Sequence, residues 1–214
     1  MARPATDIQA RIVHAARALF LQHGVDGASL RQIATDAETN IGMIYYYFKT
    51  KDDLFLGVVE EIYAQFSTDI QMLAEDDSPI EARIEKLFTR FAAMSDEETQ
   101  VVRLILREAL VSSERLQRLA VRFQTGHIPV VLNMVLGGIG EGTLRGDLNP
   151  IALAMPMFLL GAMPQLVLRR VIASGLPIAA ALPTPQEAAR MLLDVLFHGI
   201  AGPKHERAVL PPKS

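Results

Sequence analysis

Residues 40–54, NIGMIYYYFKTKDDL, set Tyr45, Tyr46, Tyr47 and Phe48 side by side in a chain with four tyrosines and no tryptophan. A helix that only packs on a core spaces its aromatics three or four residues apart, so four adjacent rings must point in several directions. Phenol hydroxyls donate hydrogen bonds to phosphate oxygens without carrying charge. Lys51 adds a cation at a helix start, where backbone amides already favour an anion. At about 100° per residue, Ile41, Ile44 and Phe48 fall on one side of a helix. Gly42, Met43 and Tyr46 lie opposite, with Tyr45 and Tyr47 on the flanks. Gly42 lets the helix axis come close to whatever it meets, because no side chain holds it off.

The elements around this stretch have their own signals. Apolar residues recur at helical spacing over residues 8–21, through Ile8, Ile12, Ala15, Ala16, Leu19 and Phe20, and Gly24 follows as a stop. Ser29 is an N-cap for a short second helix carrying Leu30, Ile33, Ala34 and Ala37, and Asn40 caps a third. Thr50 and Asp53 form a capping box that opens a longer fourth helix through Leu54, Val58, Ile62 and Phe66. Two short helices joined by a tight turn, the second rich in groups that touch phosphate or bases, meet the needs of a helix-turn-helix. Ser29 and Arg31 place a further hydroxyl and cation at the start of its first helix.

Residues 8–66 resemble the DNA-binding domain of TetR-family transcriptional regulators. Ser29, Ile33, Ala34, Ala37, Gly42, Ile44, Tyr45, Phe48, Lys51 and Leu54 stand at the positions of the family's signature. The resemblance implies an all-α fold: an N-terminal helix-turn-helix domain over residues 1–50, a connecting helix over 51–72, a larger ligand-binding and dimerisation domain over 73–201, and a mobile tail over 202–214. It implies DNA contacts at Ser29, Arg31, Asn40, Ile41, Gly42, Met43, Tyr45, Tyr46, Tyr47 and Lys51. The partners it implies are a palindromic double-stranded operator, a second copy of the chain and a small effector, mostly hydrophobic, that releases a repressor. Two positions depart from the family pattern. Glu38 stands where glycine is usual, and a positive φ there costs about 1 kcal/mol; Tyr47 stands where histidine is common.

Beyond residue 79, helical patterns follow over residues 80–94, 97–111, 114–123, 128–139, 151–173 and 186–198, with no strand alternation. Polar residues set in apolar runs are the candidate effector contacts: Arg103, Arg107, His127, Asn133 and Gln165, with Met134 and Phe158 lining an apolar cavity. For each a plainer role stands beside it. Arg103 and Arg107 share a helix face as a solvated stripe, His127 beside Gly126 reads as a turn or core histidine, and Met134 and Phe158 read as core or dimer packing.

Half of the 214 residues are hydrophobic and the formal net charge is only -3, so the overall charge does not mark a nucleic-acid partner. The distribution does more: residues 1–51 are mildly basic and the remainder is acidic. No cysteine is present, which excludes a disulfide framework, a thiolate zinc site and a cysteine nucleophile, and fits a cytoplasmic setting. The residues before 20 carry charge through their apolar pattern, unlike a signal peptide. Residues 148–168 carry no charge and are long enough to span a membrane. Asn149, Pro150, Pro156, Pro164 and Gln165 within them favour a buried helix, and no membrane partner is expected. Catalytic motifs fail. GGIGEG at 137–142 departs from a dinucleotide loop, with Thr143 where a glycine would be needed, and no nucleophile elbow, P-loop or His-Glu-x-x-His occurs. No enzyme activity, metal or cofactor is expected. Two other readings stay open: a helical interaction or assembly protein of the same fold without DNA binding, and a membrane-associated helical protein.

Overall fold

The computed structural model describes residues 5–124 and 126–198. Among them are eleven α-helices, one 3-10 turn and no strand. The expected tail over residues 202–214 lies outside the described residues.

α1 (Ala5–Gly27) buries Ile12, Val13, Ala16 and Phe20. The stop expected at Gly24 is a break inside the element: Gly24 takes φ 75°, and one more turn follows it. α2 (Leu30–Asp36) starts where the Ser29 hydroxyl accepts the amide of Gln32, and α3 (Ile41–Tyr47) starts where the Asn40 side chain accepts that of Met43. Each is seven residues, too short to persist alone in water. They are held by one apolar cluster in which Ile33, Ala34, Ile44 and Phe48 join α1 and the long α4 (Lys51–Ala74). The capping box read at Thr50 and Asp53 is present in both directions. It satisfies two amides at the start of α4 that would otherwise lack partners.

α5 (Ile80–Ala92), α6 (Asp96–Val111), α7 (Ser113–Gln124) and α8 (His127–Gly140) follow. Ser95 and Glu98 supply a second capping box, for α6. The run expected as one helix over residues 151–173 is two, α9 (Pro150–Gly161) and α10 (Met163–Ala173). The division falls beside Pro164, whose ring nitrogen has no hydrogen to continue the ladder. A 3-10 turn (Pro177–Ala181) leads to α11 (Pro185–His198).

The first cluster does not end with the four N-terminal helices: Leu104 of α6 and Leu119 of α7 are buried in it. Two further clusters, one around Ile84, Phe88, Met134 and Met157 and one around Ile70, Leu87, Phe91 and Leu166, hold the rest together. The apolar stretch Pro150–Ala173 is long enough to cross a membrane, and its most apolar 18 residues have a mean hydropathy of 1.9, yet only 33% of them are buried. It was expected to be enclosed, but only part of its surface is covered. Val167 of α10 is exposed, as are Ile151, Met155 and Leu159 of α9, since α9 is apolar on all sides and a helix can press only one side onto a core.

Candidate nucleic-acid interface

α3 sorts its side chains by position. Met43, Ile44, Tyr47 and Phe48 face the core, with Ile44 and Phe48 buried and Met43 and Tyr47 half-buried against it. Ile41, Gly42, Tyr45 and Tyr46 face out, and Tyr46 is 71% exposed. This corrects the helical wheel on Ile41 and Met43, which exchange sides. The reason is local. The helix ends at Tyr47, and Phe48 leaves it in an extended conformation, φ -130° and ψ 113°. A wheel that counts Phe48 as helical is turned the wrong way. Tyr46 and Tyr47 stand edge to face with centroids 5.1 Å apart.

Gly42 lies on the exposed side. A Cβ there would meet only the Asn40 cap oxygen, at 3.0 Å, so the protein's own packing leaves the space in front of it open. Phe48 is seated by another glycine: a Cβ on Gly57 of α4 would lie 2.7 Å from the Phe48 ring. The turn between α2 and α3 carries the one non-glycine positive φ among the described residues, Glu38 at 49°. Thr39 N bonds back to Ala34 O at 2.9 Å, and Arg11 donates to Ala37 O at 2.7 Å and approaches Glu38 at 3.4 Å. The turn therefore keeps the left-handed residue that the glycine would have supplied, with glutamate in its place.

Around this face, Ser29 and Arg31 are exposed at the start of α2. The Ser29 oxygen accepts the Gln32 amide at 3.4 Å, which leaves its proton to donate outward. Lys51 is half-exposed at the start of α4, and its Nζ donates to Asp26 O at 2.9 Å. Hydroxyls, an open glycine and two cations thus share one surface, which is chemistry for a phosphate backbone with a groove behind it.

The expected effector contacts do not converge. Arg103 and Arg107 are exposed on α6, the latter 3.8 Å from Glu108. Asn133 is exposed on α8 and Met134 is buried in the core. Phe158 stands edge to face with Phe91 at 6.1 Å. Gln165 is fully buried; its amide donates to Pro185 O at 3.2 Å, and its carbonyl oxygen has no partner. His127 is a core histidine, as the plainer reading had it. The Tyr63 hydroxyl accepts the His127 amide at 3.0 Å and shares a second hydrogen bond with Nδ1 of the ring. Burial first, and the nearby Arg122 charge second, hold the His127 pKa down at about 4. Tyr63, Phe66 and Phe123 surround it, and Phe91 packs behind Phe66. That ring cluster was not read from the sequence, although Tyr63 and Phe66 stand one helical turn apart.

The model for "Bacterial regulatory proteins, tetR family" matches residues 12–58, the stretch that carries this face. The HTH-type transcriptional repressor NicS of Pseudomonas putida is 46% identical over 56 residues, 26% of this chain and 26% of that protein. The likeness to the TetR family lies in this stretch. The probable HTH-type transcriptional regulator YttP of Bacillus subtilis is 32% identical over 105 residues, 48% of this chain and 51% of that one. The chain thus spans about half or less of the length of these curated relatives. Its fold extends the likeness to the whole chain. The transcriptional regulator FadR from Bacillus subtilis, solved in complex with stearoyl-CoA, superposes with a TM-score of 0.71 at 18% identity, covering 90% of this chain and 99% of that one. A fatty acid metabolism regulator from Clostridium perfringens gives 0.71 at 17%, covering 89% and 98%. The TetR architecture, an N-terminal helix-turn-helix with a larger helical domain behind it, is the architecture of this chain.

Proposed function

We propose that the protein is a homodimeric transcriptional repressor that reads a palindromic operator through two copies of α3 and is released by a small, mostly hydrophobic effector. The observation that supports it best is the outward face of α3, where Gly42, Tyr45 and Tyr46 are presented between Arg31 and Lys51 on a matched helix-turn-helix domain. In this reading Lys51, Ser29 and the tyrosine hydroxyls grip phosphate. Arg31 grips phosphate or reads guanine, and Ile41, with Gly42 beside it, makes apolar contact in the major groove. Asn40 contributes through its cap, and Met43 and Tyr47 act from half-buried positions at the edge of the face. Residues 1–50 form the head, 51–72 the connection, and 73–201 the effector and dimerisation domain.

One short helix reads too few base pairs for specificity, so two heads on a two-fold axis are required. The uncovered apolar residues of α9 and α10 offer the surface for the second copy. Effector and operator then each lower the other's affinity by the same factor. A hydrophobic effector fits a domain whose interior is Met, Phe and Leu, and the FadR complex makes long-chain acyl-CoA the first ligand to try.

A duplex containing the palindrome nearest the protein's own gene tests the reading. Binding should weaken steeply with salt, and Tyr45→Phe combined with Lys51→Ala should weaken it on every sequence while the helical signal and melting temperature persist. Salt-independent or absent duplex binding would favour the reading as an interaction protein without DNA binding, which the Glu38 carboxylate beside α3 also favours.

A further inference from the structure

Where α6 and α7 meet the head, one guanidinium faces three carboxylates. Arg115, buried near the start of α7, donates from Nε to Asp52 at 2.8 Å and from Nη1 to Glu108 at 2.7 Å, and both its terminal nitrogens hold Asp26. Glu108, 2% exposed on α6, uses its other oxygen to accept the amide of Val25 at 3.1 Å. Two body residues therefore hold three head residues: Val25 and Asp26 beyond the Gly24 break, and Asp52 in the first turn of α4. A Cβ on Gly24 would collide with the Arg107 guanidinium at 2.6 Å, so a side chain of α6 packs directly on that break.

The charges do not balance within the cluster. Arg115 and, at 3.8 Å from Glu108, the exposed Arg107 face three carboxylates and leave the joint acidic, and on the head side the cation at hand is Lys51, whose Nζ sits on the carbonyl of Asp26 itself. The expected phosphate contact is thus one residue away from the joint. Drawing Lys51 toward DNA takes positive charge from it.

The same helix face continues the grip. Arg118 pairs with Asp53 at 3.2 Å and Arg122 with Glu60 at 2.8 Å, so Arg115, Arg118 and Arg122 meet carboxylates on α4 in order. Just past the end of α7, His127 closes the series on Tyr63 of α4. Ordinary packing needs no such set of ions. Burying Glu108 and Arg115 carries a desolvation cost that apolar side chains would avoid, and the geometry they fix is directional.

We infer that α7 is a strut that sets the angle of the DNA-reading head on the effector domain, with Arg115 as the positioning residue at its joint. Movement of α7 or α8 around an occupied effector domain is delivered to Asp26, Asp52 and Asp53, and so to Lys51. The inference rests on the DNA-regulator reading for its purpose but not for its test.

Because the chain has no cysteine, spin labels at His14→Cys on α1 and Glu85→Cys on α5, both exposed, report the head-to-body distance. Labelled chains are diluted with unlabelled ones, so that only distances within one chain are read. Asp26→Asn with Asp52→Asn leaves Arg115 its Glu108 partner and should broaden the distance distribution without loss of the cooperative melt. Duplex affinity should fall about tenfold. Arg115→Lys should recover part of both, whereas Arg115→Met with Glu108→Gln should show the full broadening. An unchanged distribution in the Asp26→Asn, Asp52→Asn variant overturns the strut, whether or not the Arg115→Met, Glu108→Gln variant folds. Broadened distances in a protein whose parent binds no duplex would keep the strut and refute the DNA reading.

Discussion

Glu38 holds a left-handed conformation at φ 49° that glycine adopts without strain. Its contact with Arg11 is long and exposed, and Arg11 keeps the Ala37 carbonyl without it. Glu38→Gly should therefore stabilise the protein by about 0.5 kcal/mol, strain relief exceeding the entropy lost with glycine. The urea midpoint checks this, and duplex affinity should rise as a carboxylate leaves the neighbourhood of α3. This position was legible in the sequence because turn chemistry is local. His127 was only half legible, since its partner Tyr63 lies 64 residues away. Its folded pKa, about 4, lies below the ordinary 6.5, so between those values the unfolded chain binds the proton and the folded one does not. The stability this contributes is whole above about pH 6.5 and declines as pH falls toward 4, by about 2 kcal/mol at pH 5. His127→Phe should shrink the difference between urea midpoints at pH 7 and pH 5.

At the scale of elements, α3 is placed by what it rests on. Phe48 occupies the space that Gly57 leaves on α4. Gly57→Ala should push that ring out and destabilise the head by about 1–3 kcal/mol, visible as lowered melting and weaker duplex binding with the body still helical. Helix starts were read well, at Ser29, Asn40 and Thr50, since a cap is one side chain meeting an amide two or three residues on. Helix faces were read less well. Ile41 and Met43 exchanged sides because the wheel assumed a helix one residue longer than the one that forms. The division of α9 from α10 was missed although Pro164 marks it, the apolar run around it being continuous. The arginines of α7 were not singled out, because nothing in their spacing names the carboxylates of α4.

For the whole molecule, helical periodicity without strand alternation was enough for the all-α class, and the family signature was enough for the head. Which residues would line an effector pocket was not legible. Arg103, Arg107, Asn133 and Gln165 were chosen as polar residues in apolar runs, and such runs bury one face while exposing the other. The uncovered apolar surface of α9 and α10 should be closed by a second copy. Met155→Glu with Val167→Glu, both on exposed positions, should convert dimer to monomer in sedimentation and remove the concentration dependence of the melting temperature. Asp53 joins these scales. One of its oxygens accepts the Thr50 amide at 3.0 Å and caps α4, and the other accepts Arg118 of α7 at 3.2 Å. A pull by α7 on one oxygen loosens the cap held by the other. An effector's message would then reach the operator not only as a change in the head's angle but also as fraying of the first turn of α4 under Lys51, read as faster amide exchange there.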